Sequence, residues 1–465
     1  MRVIGLGATG AGRRNVALSF ALAMMLSSGF GQIASSRDVT LNAEQMHALA
    51  SRELMAGRPQ NALPLAEALV AAHPDDFGAQ LLLSYAARDL ARFDQAEAAA
   101  RRAWDLAANG EQKSSAARTI AQALSSRGAR TRAQFWLRRA AQVAQTPQSK
   151  AVAIRDFRYV RARNPWSVNF DIGVSPSSNV NGGSNADTIW IYGFPFALSG
   201  DAQRLSGTEF HASVNVERTI AETKGHLTRL GFNLGGRTYR LSEDALSKAP
   251  TARGSDYAFW ALEAYLSNRW KSTASPGEWD LRATAGHNEY GGAALSNYLQ
   301  FNGGRRFDFE GARSLRVGAS IETQWRLDST ANSAELGSVS LDYRQRIAAG
   351  IWSLGVVAGQ VNSDAVTIDH DRVGVSLRFE FSKPILGTEL SLSAGYEARK
   401  YGVMPFDAFD RHDHRTTIGL SAVLSEQSYM GFAPEVGLTY TRNRSNSTLY
   451  DSTDFGVSLR LRSTF

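Results

Sequence analysis

The chain of 465 residues has no cysteine, only 12 prolines and, beyond its N-terminus, no long apolar run. The absence of cysteine excludes disulfides, thiolate metal sites, a cysteine nucleophile and lipid attachment at an N-terminal cysteine. No later stretch reaches the roughly 18 apolar residues that a membrane-spanning helix needs. A hydrophobic fraction of 43% argues against extensive disorder, and 41 glycines with 10% aromatic residues favour many strands joined by turns.

The first residues have the pattern of a secretory signal peptide. Arg2, Arg13 and Arg14 precede an apolar run over residues 16–26, and small residues follow it. A basic start, a short apolar core and a small-residue exit are typical of export signals. The run is too short for an uncleaved anchor helix. We therefore predict a signal peptide over residues 1–31 and a mature chain outside the cytoplasm.

Residues 37–163 have the composition and periodicity of a helical domain. Ala, Leu, Arg, Glu and Gln dominate, and breaks near Gly57, Gly110 and Gly128 divide the segment into six or seven helices. Ala62 and Ala96 lie 34 residues apart, which is the tetratricopeptide period, although the consensus Trp, Gly and Tyr are missing. We predict a tetratricopeptide-like array that binds a peptide or protein in its groove, with a ligand-free helical spacer as the alternative.

Positive charge is concentrated at the end of this segment. Residues 37–163 carry a net charge of +7 and residues 164–465 one of −3, while residues 127–163 contain ten basic residues and a single acid, Asp156. A nucleic-acid partner is not expected outside the cytoplasm. Contact with outer-membrane lipid headgroups or an acidic client is the functional interpretation, and a solvated helix face is the alternative. The candidate residues are Arg130, Arg132, Arg138, Arg139, Arg155, Arg158, Arg161 and Arg163.

From residues 164–165 onward the apolar period changes from about 3.6 to 2. Val168, Phe170 and Ile172 alternate with Asn169 and Asp171, and similar alternation recurs to the end of the chain. A β-sandwich also alternates, but its core would exclude the charges that occupy one face of strand after strand. Apolar residues outside and polar residues inside are typical of a transmembrane barrel. We predict an antiparallel barrel of 14 strands over residues 164–465, and hence an α+β multidomain chain.

The sequence suggests further roles within this barrel. Aromatic residues near strand ends predict two interfacial girdles: Trp166, Trp270, Trp279 and Trp352 at one end, and Tyr239, Tyr290, Tyr298, Trp325 and Tyr401 at the other. A final aromatic residue on the lipid-facing side of the last strand predicts an insertion signal for the barrel-assembly machinery, carried by Phe455, Val457, Leu459, Leu461 and Phe465.

The long first loop, residues 176–207, combines polar turn residues such as Asn179 and Asn181 with an apolar block that includes Trp190, Tyr192 and Phe194. Because water disfavours such a block at the surface, we predict that it folds against the lumen wall as a plug or engages the client. Insertion of the loop into the outer leaflet is the alternative.

Motifs for catalysis are lacking in the sequence. No G-x-S-x-G, H-E-x-x-H or phosphate-loop motif occurs. His412 and His414 flank Asp413 close to Asp410 and could bind a metal, but polar residues are routine where a strand begins after a loop. We predict no enzyme activity, no cofactor and no metal.

The order of these parts resembles the surface lipoprotein assembly modulators, the Slam family. The resemblance is sharpest over residues 164–181 (NPWSVNFDIGVSPSSNVN) and at the end, over residues 440–447 and 459–465. It implies an outer-membrane translocator of Gram-negative bacteria that moves surface lipoproteins, or small secreted haem- or metal-acquisition proteins, to the cell surface. The helical domain would receive the client in the periplasm. We expect a monomer. An exopolysaccharide export porin with a tetratricopeptide scaffold is the second candidate, and a diffusion porin the third.

Overall fold

A computed structural model describes residues 41–191, 194–271, 276–404 and 409–465 of the chain. The signal peptide expected over residues 1–31 lies outside these ranges. Within the described ranges, no helix combines the length and apolar character that crossing a membrane requires.

Seven helices occupy the described residues before the first strand: α1 (Ala43–Met55), α2 (Pro59–Ala72), α3 (Phe77–Asp89), α4 (Phe93–Leu106), α5 (Gly110–Ser126), α6 (Arg130–Val143) and α7 (Pro147–Arg163). Side-chain caps begin several of them, since Asn42, Asp76, Asn109 and Thr146 each accept a hydrogen bond from a backbone N–H of the first turn. Each helix packs against the next one along the chain. We call this part the helical domain.

Alanines form the contacts between neighbouring helices. Ala62 and Ala66 of α2 are fully buried, as are Ala96 and Ala100, their counterparts in α4. A side chain this small lets two helix backbones approach closely, which is why the 34-residue spacing of small residues was informative. The prediction of a tetratricopeptide-like array is confirmed.

The rest of the chain forms a closed antiparallel barrel of 14 strands. The barrel strands are β1 (Trp166–Ser177), β4 (Gly207–Thr223), β5 (His226–Leu241), β6 (Phe259–Lys271), β7 (Gly277–Tyr290), β8 (Ala293–Phe309), β9 (Arg313–Arg326), β10 (Ala334–Ile347), β11 (Gly350–Ser363), β12 (His370–Phe381), β13 (Glu389–Val403), β14 (Asp410–Val423), β15 (Phe432–Ser445) and β16 (Ser452–Ser463). A separate hairpin, β2 (Thr188–Ile191) and β3 (Phe194–Ala197), lies in the first loop, and α8 (Glu243–Lys248) follows β5. The predicted fold class and strand number are confirmed.

Apolar side chains cover the outside of the barrel, and polar side chains fill its inside. Val168, Phe170 and Ile172 of β1 are about half exposed, as lipid-facing residues are when no lipid is present. Inside, the Tyr265 hydroxyl donates to Glu217 at 2.9 Å and pairs across strands recur around the wall. This is the arrangement of a transmembrane barrel.

The predicted aromatic girdles are only partly correct. The four tryptophans at one end are exposed, and so are Tyr290 and Trp325 at the other. Tyr298 instead points into the lumen, where its hydroxyl donates to Glu263 at 2.6 Å. Tyr401 is buried beneath Arg411, and Tyr239 lies opposite the lumen residue Glu209. Because residues on a strand alternate between faces, proximity to a strand end does not place a side chain in the membrane interface.

The two ends of the barrel differ. The end where β1 begins, next to α7, is called here the helical-domain end, and the opposite end, where β1 ends and β4 begins, the loop end. At the helical-domain end, the turn between β14 and β15 reaches the helical domain. That contact positions the candidate site.

Candidate functional site at the junction of helices and barrel

A two-residue turn in the connection between β14 and β15 contacts the helices. Tyr429 and Phe432 exchange backbone hydrogen bonds of 2.8 and 2.9 Å around Met430 and Gly431, whose φ angles are +50° and +72°. Two positive φ angles define the tight hairpin turn that matches strand twist. A Cβ on Gly431 would also lie 2.7 Å from the ring of Phe465. Both observations explain a glycine there.

Helix α6 binds this turn through two side chains one helical turn apart. The Arg138 guanidinium donates to the carbonyl oxygens of Met430 at 2.9 Å and Gly431 at 3.2 Å. The Gln142 side-chain oxygen accepts from the Met430 N–H at 2.6 Å. Residues four apart share a helix face, so both reach the same turn. The N–H and C=O of Met430, which strand pairing does not use, are thereby satisfied.

Helix α7 adds an aromatic contact. The rings of Phe157 and Phe465 pack edge to face with centroids 5.5 Å apart, and Arg161 donates to the Phe465 carbonyl oxygen at 2.7 Å. The Arg138 guanidinium lies 4.3 Å from the Phe432 ring centroid and 5.1 Å from that of Phe465. Such cation–π contacts gain strength where water is excluded. We call the whole set the junction cluster: Arg138, Gln142, Phe157, Arg161, Met430, Gly431, Phe432 and Phe465.

Burial and the neighbouring Arg161 lower the pKa of Arg138 to about 10. The guanidinium therefore stays charged at neutral pH. Its contacts are charge-assisted hydrogen bonds to the backbone oxygens of Met430 and Gly431 and to the Ser463 hydroxyl, together with aromatic faces. In the junction cluster, the positive charge of Arg138 is thus stabilised by the dipoles of neutral oxygen-bearing groups and by aromatic rings.

The candidate arginines do not form one common surface. Arg138 and Arg161 bind the chain's own barrel. Arg132 donates to Glu97 at 2.8 Å, Arg139 stacks over Trp104 and Trp136, and Arg163 over Tyr159. Arg155 and Arg158 are exposed, and Arg130 begins α6. Spacing along the sequence could not separate these groups, because helix packing decides which face each residue occupies.

The structure corrects the expected position of Phe465. Strand β16 ends at Ser463, so Phe465 lies beyond the sheet and packs against the helical domain. Phe455, Leu459 and Leu461 are exposed on the lipid-facing side, and Val457 is half-buried. The alternation was therefore interpreted correctly as far as Leu461, but its continuation to Phe465 was wrong.

A cavity of about 560 Å³ adjoins the junction cluster. Arg158 and Arg161 of α7 form one side, and Glu217, Glu222 and Arg229 of β4 and β5 form another. Residues 166–170 of β1 also line it. The cavity is thus shared by the helical domain and the barrel, and it combines both signs of charge with aromatic surface. We call it the junction cavity.

The lumen continues from the junction cavity as a polar wall. A second cavity, of about 590 Å³, shares Glu217 and Arg229 with the first. Arg316 binds Asp280 through two hydrogen bonds of 2.6 and 3.0 Å, and Gln300 donates to Glu322 at 2.7 Å. Because positive and negative side chains of the wall are paired with each other, the wall is polar but does not strongly favour solutes of one charge.

The first loop is built differently from the predicted plug. The Asn179 side chain exchanges hydrogen bonds of 2.9 Å with the Gly183 backbone, and the Asn181 amide donates to two carbonyl oxygens at 2.8 Å. Both asparagines therefore stabilise the loop itself. Trp190 and Phe194 of the β2–β3 hairpin are 60% and 69% exposed, so packing against the lumen wall is wrong for them. Tyr192 lies outside the described residues.

The histidines near residue 413 do not converge on a site. His412 and His414 are exposed, whereas Arg411 and Asp413 are buried together at 2.8 Å, with Arg411 between the rings of Tyr401 and Tyr450. In the ranges that the structure describes, no three His, Asp or Glu residues come close enough to hold a metal ion.

Known proteins resemble this chain in two respects. A family model described as surface lipoprotein assembly modifier matches residues 166–465, and none of the curated proteins matches the chain. Among solved structures, the type III secretion translocator chaperone SycD of Yersinia enterocolitica is 21% identical, with 26% of this chain and 88% of that chain covered and a TM-score of 0.24. A BenF-like porin from Pseudomonas fluorescens Pf-5 is 7% identical, with 64% and 98% covered and a TM-score of 0.36.

TM-scores this low establish neither a shared fold nor a shared function. The family model is different in kind, since it covers every strand of the barrel and more than half of the chain. Both stretches where the resemblance is sharpest fall within the matched residues, apart from residues 164 and 165. The chain belongs to the surface lipoprotein assembly modifier family.

Proposed function

We propose that this chain is an outer-membrane translocator that carries surface lipoproteins, or small secreted haem- or metal-acquisition proteins, from the periplasm to the cell surface. The helical domain lies in the periplasm and receives the client, and the barrel passes it outward. The observation that carries the proposal is the junction cavity, lined by both parts of a chain whose barrel matches the family.

The composition of the path supports a polypeptide cargo. Arg158, Glu217 and Arg229 offer both donors and acceptors where the helices meet the barrel. A peptide carries backbone N–H and C=O groups at every residue and needs partners of both kinds. Transport through such a path requires no bond to be made or broken, so we propose that the chain acts without catalysis.

Tethering the helical domain to the barrel mouth is the second supporting feature. A client bound on the helices is held within a short distance of the lumen, which raises its effective concentration there. The junction cluster fixes that distance, because α6 and α7 contact the β14–β15 turn directly. A loosely linked helical domain would lack this advantage.

The test compares cells with and without the chain. Surface lipoproteins are quantified by protease shaving of intact cells and mass spectrometry, alongside total outer-membrane lipoprotein. We expect a subset to lose surface accessibility while staying in the membrane fraction. Unchanged accessibility of all lipoproteins and secreted haem- or metal-binding proteins, with loss of a surface polysaccharide, would establish the polymer export alternative.

A further inference from the structure

One pair of barrel neighbours, β1 and β16, is joined less completely than the others. β1 pairs with β4 at every position from Trp166 to Ser177. On its other side, the described residues of β1 and β16 pair at three positions: Gly173 with Arg460, Val174 with Leu459 and Ser177 with Gly456. Pro176, which has no N–H to donate, lies within this stretch. We call this boundary the β1–β16 seam.

The seam is closed firmly at the loop end. One carboxylate oxygen of Asp454 accepts from the Ser177 hydroxyl at 2.7 Å, from the Ser178 hydroxyl at 3.2 Å and from the Asn179 N–H at 3.1 Å. Ser178 also exchanges hydrogen bonds with the Phe455 backbone. These bonds continue the sheet where strand pairing has ended.

At the helical-domain end the seam is open between the backbones. Continuing the register would place Ile172 opposite Leu461, yet residues 166–172 have no ladder partner in β16. Unpaired backbone groups are costly within a membrane, where no water can bind them, so a barrel rarely leaves such an edge without a use. The lipid-facing ring of Phe170 packs instead on the ring of Phe432 in β15, the strand beyond β16, with ring centroids 5.2 Å apart. We call residues 166–172 with residues 461–463 the open half of the seam.

The junction cavity reaches around this free edge. Five consecutive residues of β1, 166–170, line it. Because neighbouring side chains on a strand point to opposite faces, the cavity touches the lipid-facing Val168 and Phe170 as well as the lumen-facing Asn169. One ligand in the cavity would thus meet membrane-facing apolar groups and charged lumen groups together.

We propose that the open half of the seam is a lateral opening that binds the acyl chains of a lipidated client while its polypeptide occupies the junction cavity. This inference rests on the proposed function. Burial of each CH₂ in hydrocarbon is favourable, so acyl chains do not follow a polypeptide through a polar lumen. An opening in the wall lets the chains stay in hydrocarbon throughout. A phospholipid has the same chains but no polypeptide to fill the charged cavity.

The junction cluster controls this opening. Phe432 contacts Phe170 across the gap on one side and the Arg138 guanidinium, at 4.3 Å, on the other. A client that displaces α6 removes Arg138 and releases Phe432 from its position. Client binding on the helical domain is thereby coupled to separation of β1 from β16.

A disulfide across the open half tests the opening. The chain has no cysteine, so Ile172→Cys with Leu461→Cys introduces a single pair, and Leu392→Cys with Leu420→Cys is the matched control between two fully paired strands. Heat modifiability in gels verifies that each barrel is folded. We expect oxidation to lower lipoprotein surface display about tenfold in the seam variant. Addition of a reductant should restore the display. Equal display in the oxidised and reduced seam variant overturns the inference.

A second experiment separates this inference from the proposed function. A photo-crosslinking benzoylphenylalanine at Phe170, or at the lipid-facing Ile418 as control, is placed in the full chain in phosphatidylethanolamine–phosphatidylglycerol vesicles. The probe is a labelled tripalmitoylated cysteinyl-seryl-tetralysine peptide. Crosslinking to the probe should exceed the control several-fold at Phe170, while crosslinking to phospholipid is equal at both positions. Equal probe crosslinking overturns the lateral opening, even if the chain displays lipoproteins. Preference at Phe170 without display in cells refutes the translocator instead.

Discussion

The ring of Phe465 packs edge to face on the ring of Phe157, with 5.5 Å between their centroids. Phe157 belongs to α7 and is almost completely buried, so the contact lies inside the interface of helical domain and barrel. Phe465 was expected on the lipid-facing side of the last strand as part of an insertion signal. The Phe465 ring cannot contact the barrel-assembly machinery and pack against Phe157 at the same time. If that machinery binds Phe465, the helical domain must dock after the barrel has been inserted.

The first prediction separates insertion from docking at Phe465. Phe465→Ala should lower the outer-membrane level of the chain, leaving periplasmic precursor, and also weaken docking by about 1–3 kcal/mol through lost burial and ring contact. Membrane fractionation measures the first effect. Phe157→Ala removes the same ring contact from the other side and is the control. Equal outer-membrane levels for the two variants would contradict the insertion role.

The second prediction concerns Arg138. Arg138→Ala removes three hydrogen bonds from a charged donor, each worth about 1.5–3 kcal/mol, and leaves the Met430 carbonyl without its donor. We expect tryptic cleavage between α7 and β1 to accelerate at least about tenfold in the purified full chain, since 1.4 kcal/mol is a factor of ten.

Arg155→Ala is the matched control for this measurement, because Arg155 is an exposed arginine of α7. Arg138→Lys should accelerate cleavage almost as much as Arg138→Ala. One ammonium group cannot replace the planar guanidinium, which donates to two carbonyl oxygens and to the Ser463 hydroxyl. Cleavage at the wild-type rate in Arg138→Ala would show that the junction is held by other contacts.

Sequence patterns predicted the barrel well because its signal is local. Each strand alternates apolar and polar residues within its own length, so Val168 and Phe170 reveal the lipid-facing side without knowledge of any partner. The helical domain was predictable for a similar reason, since the alanines that let helices approach recur at a fixed spacing.

Positions set by distant partners were not predictable. Phe465 leaves the strand pattern because Phe157, 308 residues earlier, offers it a buried contact. Arg138 was indistinguishable from Arg155 in a basic segment until the β14–β15 turn was in place beside it. The open half of the seam depends on where β16 ends relative to β1, which involves the first and last strands of the barrel. Local alternation contains none of this information.

The third prediction tests the exposed part of the basic segment. Arg155→Glu with Arg158→Glu reverses two exposed charges, one of which lines the junction cavity, and leaves the junction cluster intact. Each basic residue near an anionic surface contributes about 1 kcal/mol within a Debye length of about 8–10 Å. We expect normal barrel assembly and reduced lipoprotein display, and weaker wild-type client or lipid contact as salt rises. Display at the wild-type rate would favour a solvated helix face.

The fourth prediction addresses the loop end of the seam. Asp454→Ala removes the acceptor that joins Ser177, Ser178 and Asn179 to β16. Because the other half is already unpaired, the barrel should unfold at a lower temperature in heat-modifiability gels. Asp328→Ala is the control, since the Asp328 carboxylate accepts two hydrogen bonds from Arg326, two residues earlier in the chain, and these bonds cross no seam. A similar small shift for both variants would mean that the seam needs no closure by Asp454.

The fifth prediction determines which way the chain faces. Trp190→Cys on the β2–β3 hairpin and Met55→Cys on α1 each introduce one thiol into a cysteine-free chain, at side chains that are 60% and 83% exposed. A bulky, membrane-impermeant maleimide added to intact cells should label Trp190→Cys rapidly, because the Trp190 side chain is exposed. Met55→Cys should react only after the outer membrane is permeabilised, because the proposed function requires the helical domain in the periplasm. Labelling of Met55→Cys in intact cells would mean that the helical domain lies outside the cell. A client received by the helices would then come from outside, which is opposite to the proposed direction of transport.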